Sequence, residues 1–204
     1  MKKYAVITGD ITNFTSLSDA RRQDLISGTN SLLRKWVSQP QNAAFFRGDS
    51  YQILFEEPDL AVTRSIQLIC WFKKQGKLST RISIGIGDLA YRGKTVLESD
   101  GEAFHLSGRN FDELGPKELI RLTTTDDKKN ELLGILLMFM NLVINDWTPN
   151  QAEVIFELLN DQTATQEQIA KKLQIFQSGI ARRLKIAHWK EIEKALGYLS
   201  EQLK

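Results

Sequence analysis

Two Gly-Asp pairs, Gly9-Asp10 and Gly48-Asp49, stand out as residues whose types and surroundings suit chemistry. Each places a carboxylate at the end of an apolar run, Tyr4-Ala-Val-Ile-Thr8 and Ala43-Ala-Phe-Phe46. If the runs are neighbouring central strands, the two loop carboxylates meet at one end of the sheet. Hard oxygen donors with nothing soft nearby suit Mg²⁺ or Mn²⁺, which binds one or two carboxylates together with phosphate oxygens and water. Such a pair can also serve two-metal phosphoryl chemistry. Gly-Asp is equally what a tight turn requires, and on spacing alone both readings stand. A second cluster is basic: Lys171, Lys172, Arg182, Arg183, Lys185 and Lys190 lie in residues 171–190, a window without an acid. It carries +6 of a chain total of +2, leaving −4 for the rest. A basic stripe of this kind is an electrostatic footprint for phosphate backbone; the alternative is a solvated face packed on the rest of the protein. The lone cysteine, Cys70 in Ile66-Gln-Leu-Ile-Cys-Trp-Phe72, reads as a buried apolar thiol and excludes an internal disulfide.

The elements that must hold these residues follow from hydrophobic spacing. Tyr4–Thr8 has the form of a buried central strand with a functional loop after it. Leu25, Ile26, Leu32, Leu33, Trp36 and Val37 share a helical face that Gln39-Pro40 terminates. Residues 43–55 read as a hairpin turning at Arg47-Gly48-Asp49-Ser50. A helix starts at Pro58-Asp59 and ends near Gly76, and Thr80–Gly87 alternates like a strand. A helix over Glu102–Leu114 and a last strand over Leu119–Thr123 complete an α+β order with helices packed against one face of the sheet. After Asp126 only helical spacing remains, so a boundary is placed near residue 125. At 204 residues the chain is one large domain or a medium one plus a small one. Its 42% apolar and 25% charged content excludes a disordered or fibrous protein. The apolar run at Tyr4 is too short for a secretory signal. The longest one, Leu132–Ile144, falls short of the roughly 20 residues of a membrane span. A soluble, cytoplasmic protein is expected.

Four segments, in order, resemble class III adenylate and guanylate cyclases. Gly9-Asp10-Ile11-Thr12-Asn13-Phe14-Thr15 is similar to their first metal-binding motif, and Phe46-Arg47-Gly48-Asp49-Ser50 to their second metal-binding turn. Arg81-Ile82-Ser83-Ile84-Gly85-Ile86-Gly87 resembles the following core strand, and Gly101–Arg109 the Gly-x-x-Val-Asn-x-x-x-Arg segment. The resemblance implies a ferredoxin-like sheet over residues 1–125, with Asp10, Asp49 and the Ile11 carbonyl holding Mg²⁺ or Mn²⁺. It implies that Arg109 steadies nucleotide phosphates, with Glu98 near a base-reading position. It also implies a homodimer, since cyclases build their site between subunits. The family's transition-state asparagine corresponds here to His105, and no lysine occupies Ala43–Phe46, where adenine-specific cyclases carry one.

The tail, residues 126–204, has its own pattern. Thr165 followed by Gln168 is a capping sequence, and a second short helix begins near Gln177. Two short helices separated by three or four residues have the helix-turn-helix form. Residues 165–187 resemble bacterial helix-turn-helix regulators, with Lys171, Lys172, Ser178, Arg182, Arg183 and Lys185 as DNA-binding candidates. A further helix is expected over Glu191–Leu203, and the apolar Glu131–Asp146 helix is expected to be buried, in the core of the tail or in a dimer contact. Cyclase-like segments and tail together resemble the SatD family of bacterial cyclase-homology proteins. That resemblance implies a nucleotide- and metal-sensing, DNA-binding regulator. The alternatives are an active metal-dependent purine nucleotide cyclase and an interaction protein with a vestigial site.

Overall fold

The computed structural model describes residues 2–204. Five strands, β1 (Tyr4–Thr12), β2 (Ala43–Phe46), β3 (Ser50–Phe55), β4 (Ser79–Gly87) and β5 (Ile120–Thr123), form one sheet in the order β2-β3-β1-β4-β5. All neighbours are antiparallel except β4 and β5, which run parallel. Helices α1 (Asp19–Arg34), α2 (Leu60–Lys73) and α3 (Glu102–Asp112) belong to this part of the chain. They are followed by α4 (Asp127–Asn145), α5 (Pro149–Asn160), α6 (Gln166–Leu173), α7 (Gln177–Ile186) and α8 (Trp189–Gln202). The protein is thus mixed α and β, with a purely helical second part among the described residues. Among the described residues no helix is long and apolar enough to cross a membrane.

The two faces of the sheet have different covers, because alternate residues of a strand point to opposite sides. Ala5, Ile7, Ile53, Ile82 and Ile84 point to the face on which α1 and α2 pack. Val6 and Leu54 point to the other face and meet Ala103 and Phe104 of α3. The expectation that the helices lie on one face therefore holds for α1 and α2 and fails for α3. The reason is glycine. Gly85 and Gly87 replace side chains on the α3 face of β4, and a Cβ on Gly85 would lie 2.2 Å from the Ala103 carbonyl oxygen. The bare backbone lets α3 settle directly on the strand, where Thr8 and Ser107 hydroxyls hydrogen bond at 2.7 Å.

The helical second part has no separate core. Lys73 Nζ at the end of α2 donates to the carbonyls of Asn145 (2.8 Å) and Trp147 (3.4 Å), which ties the α4–α5 junction to the first part. Trp71 of α2 packs on Phe156 of α5, and one apolar cluster runs unbroken from Ile7 through Phe72 to Ile155 and Leu199. Asparagines fasten α4 along β5. Asn141 Oδ1 accepts from the Leu119 (3.0 Å) and Ile120 (3.1 Å) amides while its Nδ2 donates to the Ile120 carbonyl at 2.8 Å. Asn130 Oδ1 accepts from the Thr124 amide (2.7 Å), and its Nδ2 donates to the Thr124 carbonyl (2.9 Å). Each carboxamide stands in for a neighbouring strand at an edge that would otherwise present unpaired groups. The expected burial of Glu131–Asp146 is half right: Leu133, Leu137, Met140 and Ile144 are buried, whereas Leu132, Ile135, Met138, Phe139 and Leu142 are exposed.

Candidate functional site

Gly9 and Asp10 do not form a loop. β1 continues through Thr12, so Asp10 sits inside the strand with Ser50 and Arg81 as its cross-strand neighbours. The strand can continue because both flanking strands extend alongside it, and the amide of Ile11 donates to the Asp49 carbonyl at 3.0 Å. Gly48-Asp49 is the turn between β2 and β3, as its sequence requires: Gly48 has φ 84°, in the left-handed region that glycine enters freely. Asp10 and Asp49 thus lie at the same end of two adjacent strands. Ile11, whose side chain is in the core, links them through its backbone.

The partner of Asp10 is a residue that motif reading passes over. Arg81 grips both carboxylate oxygens, Nε to Oδ1 at 3.2 Å and Nη2 to Oδ2 at 2.6 Å. These hydrogen bonds hold the guanidinium more firmly charged than usual. The register explains the pair, since Asp10 and Arg81 are directly opposite and share the α3 face of the sheet. The guanidinium also lies 5.6 Å from the Phe111 ring of α3. Beneath Asp10, Tyr51 donates to Thr80 Oγ1 at 2.6 Å and Thr80 donates to the Asp10 carbonyl at 2.6 Å. Burial pushes the Tyr51 phenol up, so it stays a neutral donor. In this arrangement a cationic side chain neutralises Asp10, and no third His, Cys, Asp or Glu among the described residues joins the two aspartates as a metal cluster. A divalent ion bound there would share the Asp10 carboxylate with Arg81 or displace it.

His105 and Arg109 are not brought to the aspartates within the chain. Ala103, Phe104 and Ser107 are the buried residues of α3. At 100° per residue, His105 and Arg109 fall on the opposite, solvent side of that helix. His105 Nε2 is 2.8 Å from Asp100 Oδ1 on the surface, and Arg109 is exposed with no ion pair to Asp112 or Glu113. Glu98 spends its carboxylate locally, accepting from the Lys94 amide (3.2 Å) and the Thr95 hydroxyl (3.3 Å) to close the turn before α3. Cys70 is buried, and burial pushes its thiol up, which leaves it unsuited to nucleophilic work.

The five basic candidates on α6 and α7 divide into two sets. α6 is started by a reciprocal Thr165–Gln168 cap and stopped at Gln174, which takes the left-handed conformation (φ 55°) that ends many helices. Three residues later α7 begins. Ile169, Ala170, Ile180 and Leu184 bury the inner faces of α6 and α7. That leaves Ser178, Arg182 and Lys185 exposed along one outward line of α7, with Lys171 exposed on α6. Lys172 and Arg183 belong to a different set. Lys172 pairs with Glu157 of α5, and Arg183, half-buried, reaches Glu153 Oε2 at 3.4 Å and the Asn150 carbonyl at 3.4 Å. Neither is covered by the sheet; both stitch the two short helices to α5. No family model matches this chain, and no curated protein is significantly similar to it.

Proposed function

We propose that the protein is a DNA-binding regulator of the SatD type, in which α6 and α7 act as a helix-turn-helix and the sheet part is a cyclase-homology sensor. The observation that carries the reading is the outward line Ser178, Arg182 and Lys185 on α7, flanked by Lys171 and free of ion pairs among the described residues. A second helix presenting such a face is what enters a major groove. Arginine there can read guanine edges while lysines hold phosphates. Replacing Arg182 and Lys185 together by alanine is expected to weaken duplex binding at least about tenfold and to flatten its salt dependence, since each lost phosphate contact lowers the counterion slope. Fluorescence anisotropy over a salt series checks this. The melting temperature should stay unchanged, because both side chains are exposed. Equal binding by the variant would remove the proposed interface.

The sensor half of the reading is favoured by the common strand end of Asp10 and Asp49 and by the strand order β2-β3-β1-β4, which supports a ferredoxin-like core. The ligand is a purine nucleotide with Mg²⁺ or Mn²⁺, bound where Arg81 now holds Asp10. Sensing is preferred over cyclase turnover because His105 stands at the position of the family's transition-state asparagine, and an imidazole does not reproduce the geometry of an amide. Mn²⁺ with ATP or GTP is expected to raise the melting temperature by mass action, and Asp10→Ala to abolish the rise. No rise at millimolar nucleotide favours the vestigial site.

A further inference from the structure

α4 carries an apolar stripe on its outward side. Leu132, Ile135, Met138, Phe139 and Leu142 are between 50% and 64% exposed, and nothing in the described chain covers them. Leu132, Ile135, Phe139 and Leu142 alternate steps of three and four residues, the spacing of a coiled-coil seam. The stripe continues at both ends with charge. Four residues before Leu132 stands Lys128, and four after Leu142 stands Asp146; both are exposed. Neither takes part in an ion pair among the described residues. At 100° per residue the six positions lie within about 40° of a single line along the helix. A surface helix that packs on its own core and nothing else turns polar residues outward. A contiguous apolar stripe on that side marks a contact surface.

We propose that this face joins two copies of the chain, with the two α4 helices antiparallel about a two-fold axis centred between Ile135 and Phe139. The charges choose the occupant and the direction. In that arrangement Leu132 meets the partner's Leu142, Ile135 meets the partner's Phe139, and Lys128 meets the partner's Asp146. Every contact then occurs twice, as a two-fold interface requires. A parallel pairing would instead set Lys128 against Lys128 of the partner subunit, like charges in register, which opposes it. Covering the five half-exposed side chains on each copy removes on the order of 1,000 Å², the lower bound of a specific interface. Beside the seam, Met138 and Leu142 also line a groove of about 620 Å³ between α4 and the segment from Gly115 to Leu122, which adds apolar surface at its rim. The inference rests on α4 alone and holds whether or not α7 binds DNA. If both hold, one particle presents two DNA-binding helix pairs, the form in which such proteins read paired half-sites.

Light scattering of the full-length protein eluting from a sizing column tests this. A dimer is expected, and Phe139→Glu should give a monomer with an unchanged far-ultraviolet spectrum, because Phe139 contributes nothing to the core. Lys128→Asp and Asp146→Lys should each weaken the dimer about tenfold, and the double reversal K128D/D146K should restore it, since each reversed charge then faces its opposite across the axis. A wild-type monomer, a dimer indifferent to Phe139→Glu, or a double reversal as weak as the single ones would overturn the proposal. So would a monomer that attaches to neutral or anionic vesicles through this face.

Discussion

Gly85→Ala is expected to destabilise the protein by about 2–4 kcal/mol, from a single added methyl group. The new carbon would lie 2.2 Å from the Ala103 carbonyl oxygen and 2.5 Å from the Ser107 amide nitrogen. Both are backbone atoms of α3, so no side-chain rotation relieves the overlap and the helix itself has to move. Moving α3 loosens Phe104 over Val6 and Leu54 and separates the Thr8 and Ser107 hydroxyls. It also withdraws Phe111 from Arg81, which grips the candidate site residue Asp10. For a chain of this size the loss corresponds to a fall in melting temperature of roughly 4–16 °C, read by thermal or urea denaturation. Gly108→Ala is the control. It lies on the same helix with open space around its Cβ position, and there alanine should be neutral or should stabilise by about 0.5–1 kcal/mol through helix propensity. If Gly85→Ala is as mild as Gly108→Ala, α3 does not lie on β4 as described.

Asn141→Leu is expected to cost about 3 kcal/mol although it exchanges a polar residue for an apolar one of similar size in a buried position. The leucine leaves the Leu119 and Ile120 amides and the Ile120 carbonyl, all three held by the Asn141 carboxamide, without partners. Each buried unpaired group costs about 1–3 kcal/mol, which exceeds what the added apolar contact returns. A fall in melting temperature of roughly 6–12 °C should accompany the change. Hydrogen exchange should speed up at Leu119 and Ile120 first, because the β5 edge opens before the rest. Equal exchange rates in the variant would mean that the backbone groups pair elsewhere. Asn141→Asp separates the roles: ionised, it keeps the acceptor for the two amides but loses the donor to the Ile120 carbonyl, whereas protonated at low pH its O–H restores that donor, so its deficit relative to wild type should shrink as the pH falls.

Local pattern was enough for the element order of this chain. The hairpin turn follows from Arg47-Gly48-Asp49, because only a residue tolerant of positive φ can occupy Gly48. The start of α6 follows from Thr165 and Gln168, whose side chains cap it without help from any distant residue. The helical second part follows from the spacing of its apolar positions, and the burial of Cys70 from the apolar residues around it. Each of these rests on interactions within a few residues, which a sequence contains in full.

Pairing across distance was not legible. Whether β1 ends at Thr8 or runs to Thr12 depends on Ser50 and Arg81 arriving beside Asp10, and no property of residues 9–12 specifies that. The same pairing gives Asp10, an expected metal ligand, Arg81 as an ion-pair partner. Asn141 reads in sequence as a polar interruption of an apolar run, yet it is the residue that closes the sheet edge. α4 appeared apolar around most of its circumference, but a helix laid along one edge strand can bury only the side that faces it, so the rest of its apolar surface stays exposed. Which of the basic residues stay free was likewise set by α5, whose Glu153 and Glu157 hold Arg183 and Lys172 and leave Lys171, Arg182 and Lys185 to solvent. The sequence determines which side chains can form contacts of each kind; tertiary packing decides which of them meet, because a strand register or a helix face is shared between segments far apart in the chain.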